Sequence, residues 1–204
     1  MLIEPCRFAD TWWRAAETLC RRDPHLAAVI KRYPDERLEP HGDLFHSLVR
    51  AIVGQQISVI ASERIWGRLT RDLAAIKPRD VARVDAATMR DCGLTRNKAL
   101  SISAAAGVMA AWQDSPSEPE EIRRRLLALK GVGPWTVDMV LMFAAGDLDV
   151  LPVADIGLQR AVAATYGCAR SPDAVRSRAA AWCPWRTVAT WYLWRDLDPH
   201  PVAY

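Results

Sequence analysis

The chain has 204 residues, of which half are apolar and a quarter charged, so it is long enough to bury a core. Its net charge of +3 is too small for a polycation, so any nucleic-acid affinity has to come from a local basic surface. The five cysteines form no Cys-x-x-Cys pair, which argues against zinc and iron–sulfur sites. No leader or membrane-spanning run is recognisable. We therefore expect a cytoplasmic protein with free thiols and no metal cofactor.

Helical spacing of apolar residues dominates the first half of the chain, and no strand pattern is convincing. Asp23-Pro24, Asp43, Ser58 and Thr95 each have the character of a helix N-cap. We predict helices at about 9–22, 24–33, 44–53, 59–74 and 96–112, with short helices beginning at Pro78 and Asp85.

The second half has the same character, and its polar stretch Gln113–Pro119 is the best internal break. Helices at about 120–130 and 134–145 form the two arms of a hairpin, hairpin 120–145. An extended segment, 147–154, leads to Asp155, which caps a helix ending at Tyr166. Further helices are predicted at about 172–182 and 186–197. The sequence thus predicts an all-α fold of roughly ten short helices, forming one domain over 1–204 with two lobes and a cleft between them.

The turn of the hairpin reads Leu129-Lys130-Gly131-Val132-Gly133-Pro134-Trp135-Thr136. Glycines allow close approach of another backbone, and Pro134 is suited to the first position of a new helix. The free amides of residues 131–133 then lie at a helix N-terminus, where an anion such as a DNA phosphate binds, and Lys130 adds a full charge. Two glycines between helices also occur in ordinary turns, and the arginines at 123–125 also suit a solvated face.

Four motifs in the same order resemble those of the helix-hairpin-helix DNA glycosylase superfamily, and in particular its alkylation-repair branch, typified by 3-methyladenine DNA glycosylase II. The first is the hairpin turn together with the stretch that follows it, Leu-Pro-Val-Ala-Asp155-Ile-Gly-Leu. The others are Ile-Val-Gly-Gln55-Gln56-Ile-Ser, Arg96-Asn-Lys-Ala, and the stretch from Trp185 to Trp194. The resemblance covers roughly residues 43–197 and is closest to the compact members that lack an N-terminal sheet domain.

The resemblance implies that Asp155 is the catalytic carboxylate, although an Asp at this place is also an ordinary N-cap. Trp135 and Trp194 match tryptophans that line the base pocket, and each would otherwise be a core residue. Met139 matches a pocket position that is aromatic in a well-known bacterial member. Trp135 also stands where the lyase members carry a nucleophilic Lys, so we expect a monofunctional enzyme that leaves an abasic site.

Gln56 matches the residue that fills the space of the extruded base, and Gln55 could contact the orphaned partner base. Both would otherwise be surface glutamines on a turn. The resemblance implies hydrolysis of the N-glycosidic bond of alkylated purines such as 3-methyladenine in double-stranded DNA, by a monomer. It implies no cofactor, although the hairpin carbonyls could hold a monovalent cation. In a bacterium such an enzyme would be associated with the nucleoid.

Two other functions are compatible with these motifs. The same fold could remove another lesion, such as uracil or a mismatched base. A non-catalytic hairpin module would bind DNA with a steep salt dependence but would release no base.

Overall fold

A computed structural model describes residues 5–73 and 75–198. This part of the chain forms helices and turns without any strand, and the predicted all-α class is confirmed. Residues 1–4 and 199–204 of the predicted domain lie outside the described residues, as does Ala74, the predicted end of the fourth helix. No described helix has both the length and the apolar character needed to cross a membrane.

Twelve α-helices, α1 to α12, follow one another along the described residues. They span, in order, Pro5–Arg22, Pro24–Ile30, Leu44–Gly54, Val59–Asp72, Pro78–Val81, Ala86–Asp91, Arg96–Ala110, Pro119–Leu127, Pro134–Val140, Ile156–Tyr166, Pro172–Ala179 and Arg186–Leu197. A π-helical turn, Leu141–Ala145, follows α9, and a 3₁₀ turn, Ala180–Trp182, follows α11.

Side-chain caps explain why the helices begin where the sequence predicts. In each case a carboxylate or hydroxyl oxygen accepts a hydrogen bond from a backbone N–H in the first turn, which satisfies a group that has no partner within the helix. This geometry is found at Asp23, Asp43, Ser58, Thr95 and Asp155.

The second arm of the hairpin departs from the prediction, because it is α-helical only to Val140. In the π-helical turn that follows, the carbonyls of Phe143 and Ala144 accept hydrogen bonds from the N–H groups of His41 and Gly42, at 3.2 and 3.1 Å. His41 and Gly42 thus donate to carbonyls that, in a regular helix, would accept hydrogen bonds from N–H groups of the helix itself. The apolar spacing of the sequence does not distinguish the two kinds of helix, so the predicted uninterrupted helix to Ala145 was wrong.

The described chain divides into two compact units. The terminal unit comprises the described residues of 1–42 and 141–203, and the central unit comprises residues 43–140. The division does not fall in the polar loop 113–119, since that loop is held within the central unit. Arg125 lies 5.3 Å from the ring of Trp112 and pairs with Asp114 at 3.6 Å.

The terminal unit is built on an aromatic core. α12 packs on α1, α2 and α10, and the ring of Trp12 meets Trp191 edge-on at 5.6 Å. A second cluster surrounds the buried carboxylate of Asp23, which accepts hydrogen bonds from the Tyr166 hydroxyl at 2.6 Å and the Trp182 indole at 3.2 Å. This core holds α10, the helix capped by Asp155, against α12 and at its last residue, Tyr166.

The central unit is arranged around α3, which packs against α4, α7 and α9. Nearly every residue of α3 is buried, including the guanidinium-bearing Arg50, which pairs with Glu63 of α4 and lies over the ring of Trp66 at 4.9 Å. Arg50 thereby joins α3 to α4 on either side of the turn that holds the two glutamines.

Candidate functional site

The two glycines of the hairpin are needed for different reasons. Gly131 has a φ of +82°, and a Cβ there would come within 2.1 Å of the Ser101 hydroxyl oxygen on α7. Gly133 has no positive φ, and a Cβ there would meet nothing within 4 Å. The fold therefore requires Gly131 to be glycine, whereas nothing within the described chain requires it of Gly133. Gly133 keeps open a surface that another molecule can approach.

The arginines that precede the turn are paired within the central unit. Arg123 donates to the Asp138 carboxylate at 3.2 Å and so joins the two arms of the hairpin. Arg124 and Arg125 both donate to Glu121, at 2.7 and 2.6 Å, and these hydrogen bonds lower the pKa of Glu121 to about 2. The run therefore stabilises α8 and its neighbours, while Lys130 is exposed at the turn itself.

The turn between α3 and α4 touches the hairpin through Gln55. The side-chain nitrogen of Gln55 donates to the Thr136 hydroxyl at 2.9 Å and to the carbonyl of Gly131 at 3.3 Å. The next residue, Gln56, is exposed and has a φ of +57°, a left-handed conformation that glycine adopts more readily. The predicted contact of Gln55 with an orphaned base stays a prediction, because its amide nitrogen holds the hairpin here.

Lys98 on α7 contacts this turn, and the sequence did not reveal that role. Its ammonium donates to the carbonyls of Val53 and Gln55, at 2.9 and 2.6 Å, where α3 ends. Burial lowers the pKa of this Lys. The stretch Arg96-Asn97-Lys98-Ala99 was a signal for a role, but its spacing in sequence did not reveal the partner carbonyls.

Three apolar side chains follow Gln56 and face outward. Ile57 and Val59 are exposed, and Ile60 in the first turn of α4 is 68% exposed. Single exposed apolar residues are common, but a contiguous group is typical of an interaction surface. We call Ile57, Val59 and Ile60 the apolar patch.

Asp155 caps α10 and is half-buried in the terminal unit. Its Oδ1 accepts a hydrogen bond from the backbone N–H of Leu158 at 2.6 Å and from the indole N–H of Trp194 at 2.9 Å. Gly157 makes room for this pair, because a Cβ there would lie 3.0 Å from Asp155 Oδ1 and 3.5 Å from Trp194 Nε1. The carboxylate is therefore both an N-cap and a precisely oriented charge, so the two interpretations of Asp155 are compatible.

The segment 147–154 that leads to Asp155 is not extended as predicted, because it turns at 148–149 and 153–154. Its first half is held by the beginning of α12. Arg186 donates two hydrogen bonds to the Asp149 carboxylate, at 2.6 and 2.7 Å. The hydroxyl of Thr187 donates to the carbonyl of Asp147 at 2.7 Å and accepts from the N–H of Val150 at 2.9 Å. Asp155 and Trp194 are therefore connected through the packing of α10 on α12 and through the hydrogen bonds between α12 and residues 147–150.

The predicted pocket residues differ in exposure. Trp194 is 6% exposed and stacks on Phe143, with ring centroids 6.3 Å apart and planes 13° from parallel. Trp135 is half-buried in the first turn of α9, and Met139 is 0% exposed. Because Met139 has no accessible surface here, its contact with a substrate base stays a prediction, as does that of Trp135. The structure joins Trp194 to Asp155 directly.

Each unit thus assembles its own group of predicted residues. The central unit brings Gln55 to the hairpin, and the terminal unit brings Asp155 to Trp194. Among residues 5–73 and 75–198, no cluster of His, Cys, Asp and Glu has the arrangement of a metal site. Cys20, Cys92, Cys168 and Cys183 are free thiols, and the Cys6 side chain lies outside the described residues.

Comparisons with known proteins define the class. The family model for HhH-GPD superfamily base excision DNA repair proteins matches residues 49–187, which is more than half of the chain. The chain belongs to this superfamily, and the resemblance drawn from its four motifs is confirmed.

Within the superfamily, the chain is similar to 3-methyladenine glycosylases. A DNA-3-methyladenine glycosidase of Bacillus halodurans is 30% identical, with a TM-score of 0.72 over 90% of this chain and 89% of that one. A 3-methyladenine DNA glycosylase of Schizosaccharomyces pombe, solved with abasic DNA, has the same fold at 24% identity, with a TM-score of 0.78 over 89% of this chain and 95% of that one.

Relatives found by sequence are longer. A probable bifunctional transcriptional activator/DNA repair enzyme of Mycobacterium tuberculosis is 31% identical over 195 residues, which is 88% of this chain and 38% of the relative. A putative DNA-3-methyladenine glycosylase of Bacillus subtilis is 26% identical over 85% of this chain and 66% of its own length. The chain therefore spans less than two thirds of either relative.

Proposed function

We propose that this protein is a monofunctional DNA glycosylase that hydrolyses the N-glycosidic bond of alkylated purines, such as 3-methyladenine, in double-stranded DNA. The observation that carries the proposal is the carboxylate of Asp155, held at Oδ1 by the N–H of Leu158 and the indole of Trp194. Names of several relatives support the same activity.

Asp155 would act on the charge that develops in the sugar. Cleavage of a glycosidic bond passes through an oxocarbenium-like state, which a fixed carboxylate stabilises electrostatically. The two N–H donors hold Asp155 Oδ1 in place, so the side chain does not have to reorganise during the reaction. The same carboxylate would orient or deprotonate the attacking water.

The motif around Asp155 offers no obvious second acid, which is compatible with alkylated bases as substrates. A purine alkylated at N3 or N7 is already cationic and departs without protonation. An indole face attracts a cationic ring by about 0.5–2 kcal/mol, so stacking on Trp135 would favour the damaged base over a neutral one. Since Trp135 cannot form a Schiff base, we propose that the product is an intact strand with an abasic site.

The central unit would hold the DNA. The amides of residues 131–133 and the charge of Lys130 would bind a phosphate without reading sequence. Gln56 would enter the space left by the extruded base, and the apolar patch would pack against the neighbouring unstacked bases. We propose that a monomer acts on chromosomal DNA, in the cytoplasm and at the nucleoid if the source is bacterial. We further propose that it needs no cofactor, although the hairpin carbonyls could hold a monovalent cation.

The decisive experiment compares the wild-type protein with Asp155→Asn on DNA treated with a methylating agent. Chromatography of the released bases should show 3-methyladenine with the wild type and at least about a hundredfold less with the variant, because one fixed charge contributes about that factor. Asp173→Asn in the same unit is a matched control, since its carboxylate is exposed and pairs only with Arg176 among the contacts described.

Three results would contradict the proposal. Release of methylated bases at a near-normal rate by Asp155→Asn would remove the catalytic role of the carboxylate. Rapid release of uracil by the wild type, with no action on methylated purines, would assign the site to a different lesion. Prompt strand cleavage would exclude a monofunctional enzyme.

A further inference from the structure

We propose that Lys98 is a positioning residue for base extrusion, because its ammonium fixes the turn that presents Gln56. This inference rests on the proposed glycosylase function. It assigns to Lys98 no contact with the substrate, and it makes α7 part of the machinery that opens the duplex.

The first argument is the place of the ammonium at the end of α3. The last carbonyls of a helix have no partner in the helix, and they are usually satisfied by water or by a glycine in the left-handed conformation. Here Lys98 donates to the carbonyl of Val53 in the last turn of α3 and to that of the C-cap residue Gln55, at 2.9 and 2.6 Å. A cation at a helix C-terminus is also favoured by the helix dipole.

The second argument is the backbone of Gln56. Its φ of +57° lies in the left-handed region, which a side chain other than glycine adopts at a cost in energy. Lys98 holds the carbonyl of the preceding residue, Gln55, and thereby restrains the peptide that leads into this conformation. A glycine would relieve the strain but would have no side chain to insert into the duplex.

The third argument is that the turn is held from two directions. Lys98 holds the backbone of Gln55, and the side chain of Gln55 donates to Thr136 and to the carbonyl of Gly131 in the hairpin. The residue that follows, Gln56, is exposed. The turn is therefore fixed on its protein side while the side chain predicted to enter the DNA faces outward.

Burial of the Lys98 ammonium fits this role. Desolvation lowers its pKa, which is the unfavourable consequence of placing a charge away from water. A neutral aliphatic side chain would avoid that consequence, but it would leave the carbonyls of Val53 and Gln55 without this donor. By holding Gln56 in place before DNA binds, the Lys98 ammonium would have a function beyond giving the end of α3 its hydrogen bonds.

A defect in the turn should appear only when a base has to leave a stable pair. Extrusion costs least when the base is mismatched or already unpaired, so a misplaced Gln56 matters little there. Loss of a purely structural Lys would instead slow the reaction equally on every DNA. This difference separates a positioning role from general damage to the fold.

The experiment measures single-turnover release of 7-methylguanine from two duplexes that share the lesion strand. In one duplex the lesion lies opposite cytosine, and in the other it lies opposite a tetrahydrofuran abasic analogue. Lys98→Met should be at least about tenfold slower than wild type on the first duplex and within about threefold on the second, since small misplacements have effects of this size. Lys98→Arg should recover part of the rate on the paired duplex. Lys77→Met, an exposed Lys of the same unit, is the control.

Equal losses on both duplexes, or no loss on either, would overturn the proposal. Lys98→Gln serves the same comparison if Lys98→Met shows no cooperative thermal transition, because its amide can still reach one carbonyl. It should give an intermediate ratio between the two duplexes.

A second readout does not depend on base release. 2-Aminopurine placed opposite a tetrahydrofuran site reports whether a side chain displaces that base. The wild type should change its fluorescence and Lys98→Met should not, at concentrations where both bind. If the wild type released no methylated base, the proposed function would fail while this assay still decided the role of Lys98. Identical fluorescence changes in the two proteins would contradict it.

Discussion

The two compact units of the molecule differ in charge and in the way they use their polar groups. Between residues 43 and 140 the chain has 14 Lys and Arg against 11 Asp and Glu, whereas the remainder has 13 of each. The net charge of +3 therefore belongs entirely to the central unit, which contains the hairpin and the Gln55–Gln56 turn. The terminal unit is neutral overall and contains the Asp155–Trp194 pair.

This difference corresponds to the proposed roles of the two units: the central unit would bind DNA, and the terminal unit would supply the catalytic carboxylate. In the central unit several arginines pair within the unit, so we propose that contact with DNA depends on backbone amides, Lys130 and the shape of two turns. In the terminal unit, two N–H donors hold one carboxylate oxygen in place. Substitutions at Asp155 and Trp194 should therefore change the rate of base release, and substitutions at the hairpin turn should change affinity for DNA.

Beyond Asp155 itself, Trp194→Phe should have the largest effect on the rate. It removes the N–H that donates to Asp155 at 2.9 Å but keeps a ring that can stack on Phe143. A hydrogen bond to a charged group contributes about 1.5–3 kcal/mol, so kcat should fall roughly tenfold to a hundredfold with little change in affinity for DNA. Single-turnover release and fluorescence anisotropy measure the two quantities.

The chain offers a matched control for this substitution. The indole of Trp182 donates to Asp23 at 3.2 Å in the same unit, so Trp182→Phe removes an equivalent bond away from Asp155. It should lower the free energy of unfolding and leave kcat unchanged. An equal loss of kcat in both variants would mean that Trp194 acts only through stability.

Gly131→Ala and Gly133→Ala should separate fold from binding within the central unit. Gly131→Ala forces a left-handed conformation on a residue with a Cβ and meets Ser101, so the free energy of unfolding should fall by about 2 kcal/mol. Gly133→Ala meets nothing within the described chain, so stability should be unchanged while affinity for DNA falls. Chemical denaturation and anisotropy test this pair, and unchanged affinity in Gly133→Ala would remove the hairpin as the phosphate site.

Ile60→Thr should have a smaller effect, confined to binding. Ile60 is 68% exposed, and burying part of its side chain against DNA would contribute about 1 kcal/mol, which is roughly fivefold in affinity. The slope of affinity against salt concentration should not change, since no charge is altered. Val108→Thr, an exposed apolar residue of α7 in the same unit, should leave affinity unchanged. Equal losses in the two variants would contradict a specific role of the apolar patch.

The sequence predicted the features that depend on residues close together in the chain, namely helix starts and turns. Polar caps such as Asp43 and Asp155 identified helix starts, because the carboxylate and the N–H that it accepts lie three residues apart. The glycine at 131 was identified as a turn for the same local reason. The π-helical turn was not predicted, since the donors that fix it come from residues 41 and 42, a hundred positions away.

The same limit explains what was missed at the site. Asp155 and Trp194 were each proposed from motifs, but their hydrogen bond joins residues 39 positions apart. Lys98 belongs to one of the motifs, but its role could not be predicted, because its partners are backbone carbonyls that no residue type identifies. The arginines at 123–125 looked like a surface for DNA until their acidic partners were located.

Glu121→Gln should have the smallest effect and tests whether the charge of the central unit matters. Hydrogen bonds from Arg124 and Arg125 lower the pKa of Glu121 from 4.5 to about 2, so its charged form is favoured in the folded state. Its contribution to stability is therefore present above about pH 4.5 and disappears as the pH falls towards 2. The thermal midpoints of wild type and variant should differ most above pH 5 and converge on acidification.

The same substitution removes one negative charge from the central unit and releases two arginines from their carboxylate partner. If net charge governs binding, Glu121→Gln should bind undamaged duplex more tightly, with a steeper dependence on salt. If the hairpin amides govern it, affinity at moderate salt should be unchanged, which is the outcome we expect. Asp173→Asn makes the same change in charge beside Arg176 in the terminal unit and should leave affinity unaltered. Tighter binding by both variants would mean that the separation of the two units by charge has no consequence for DNA.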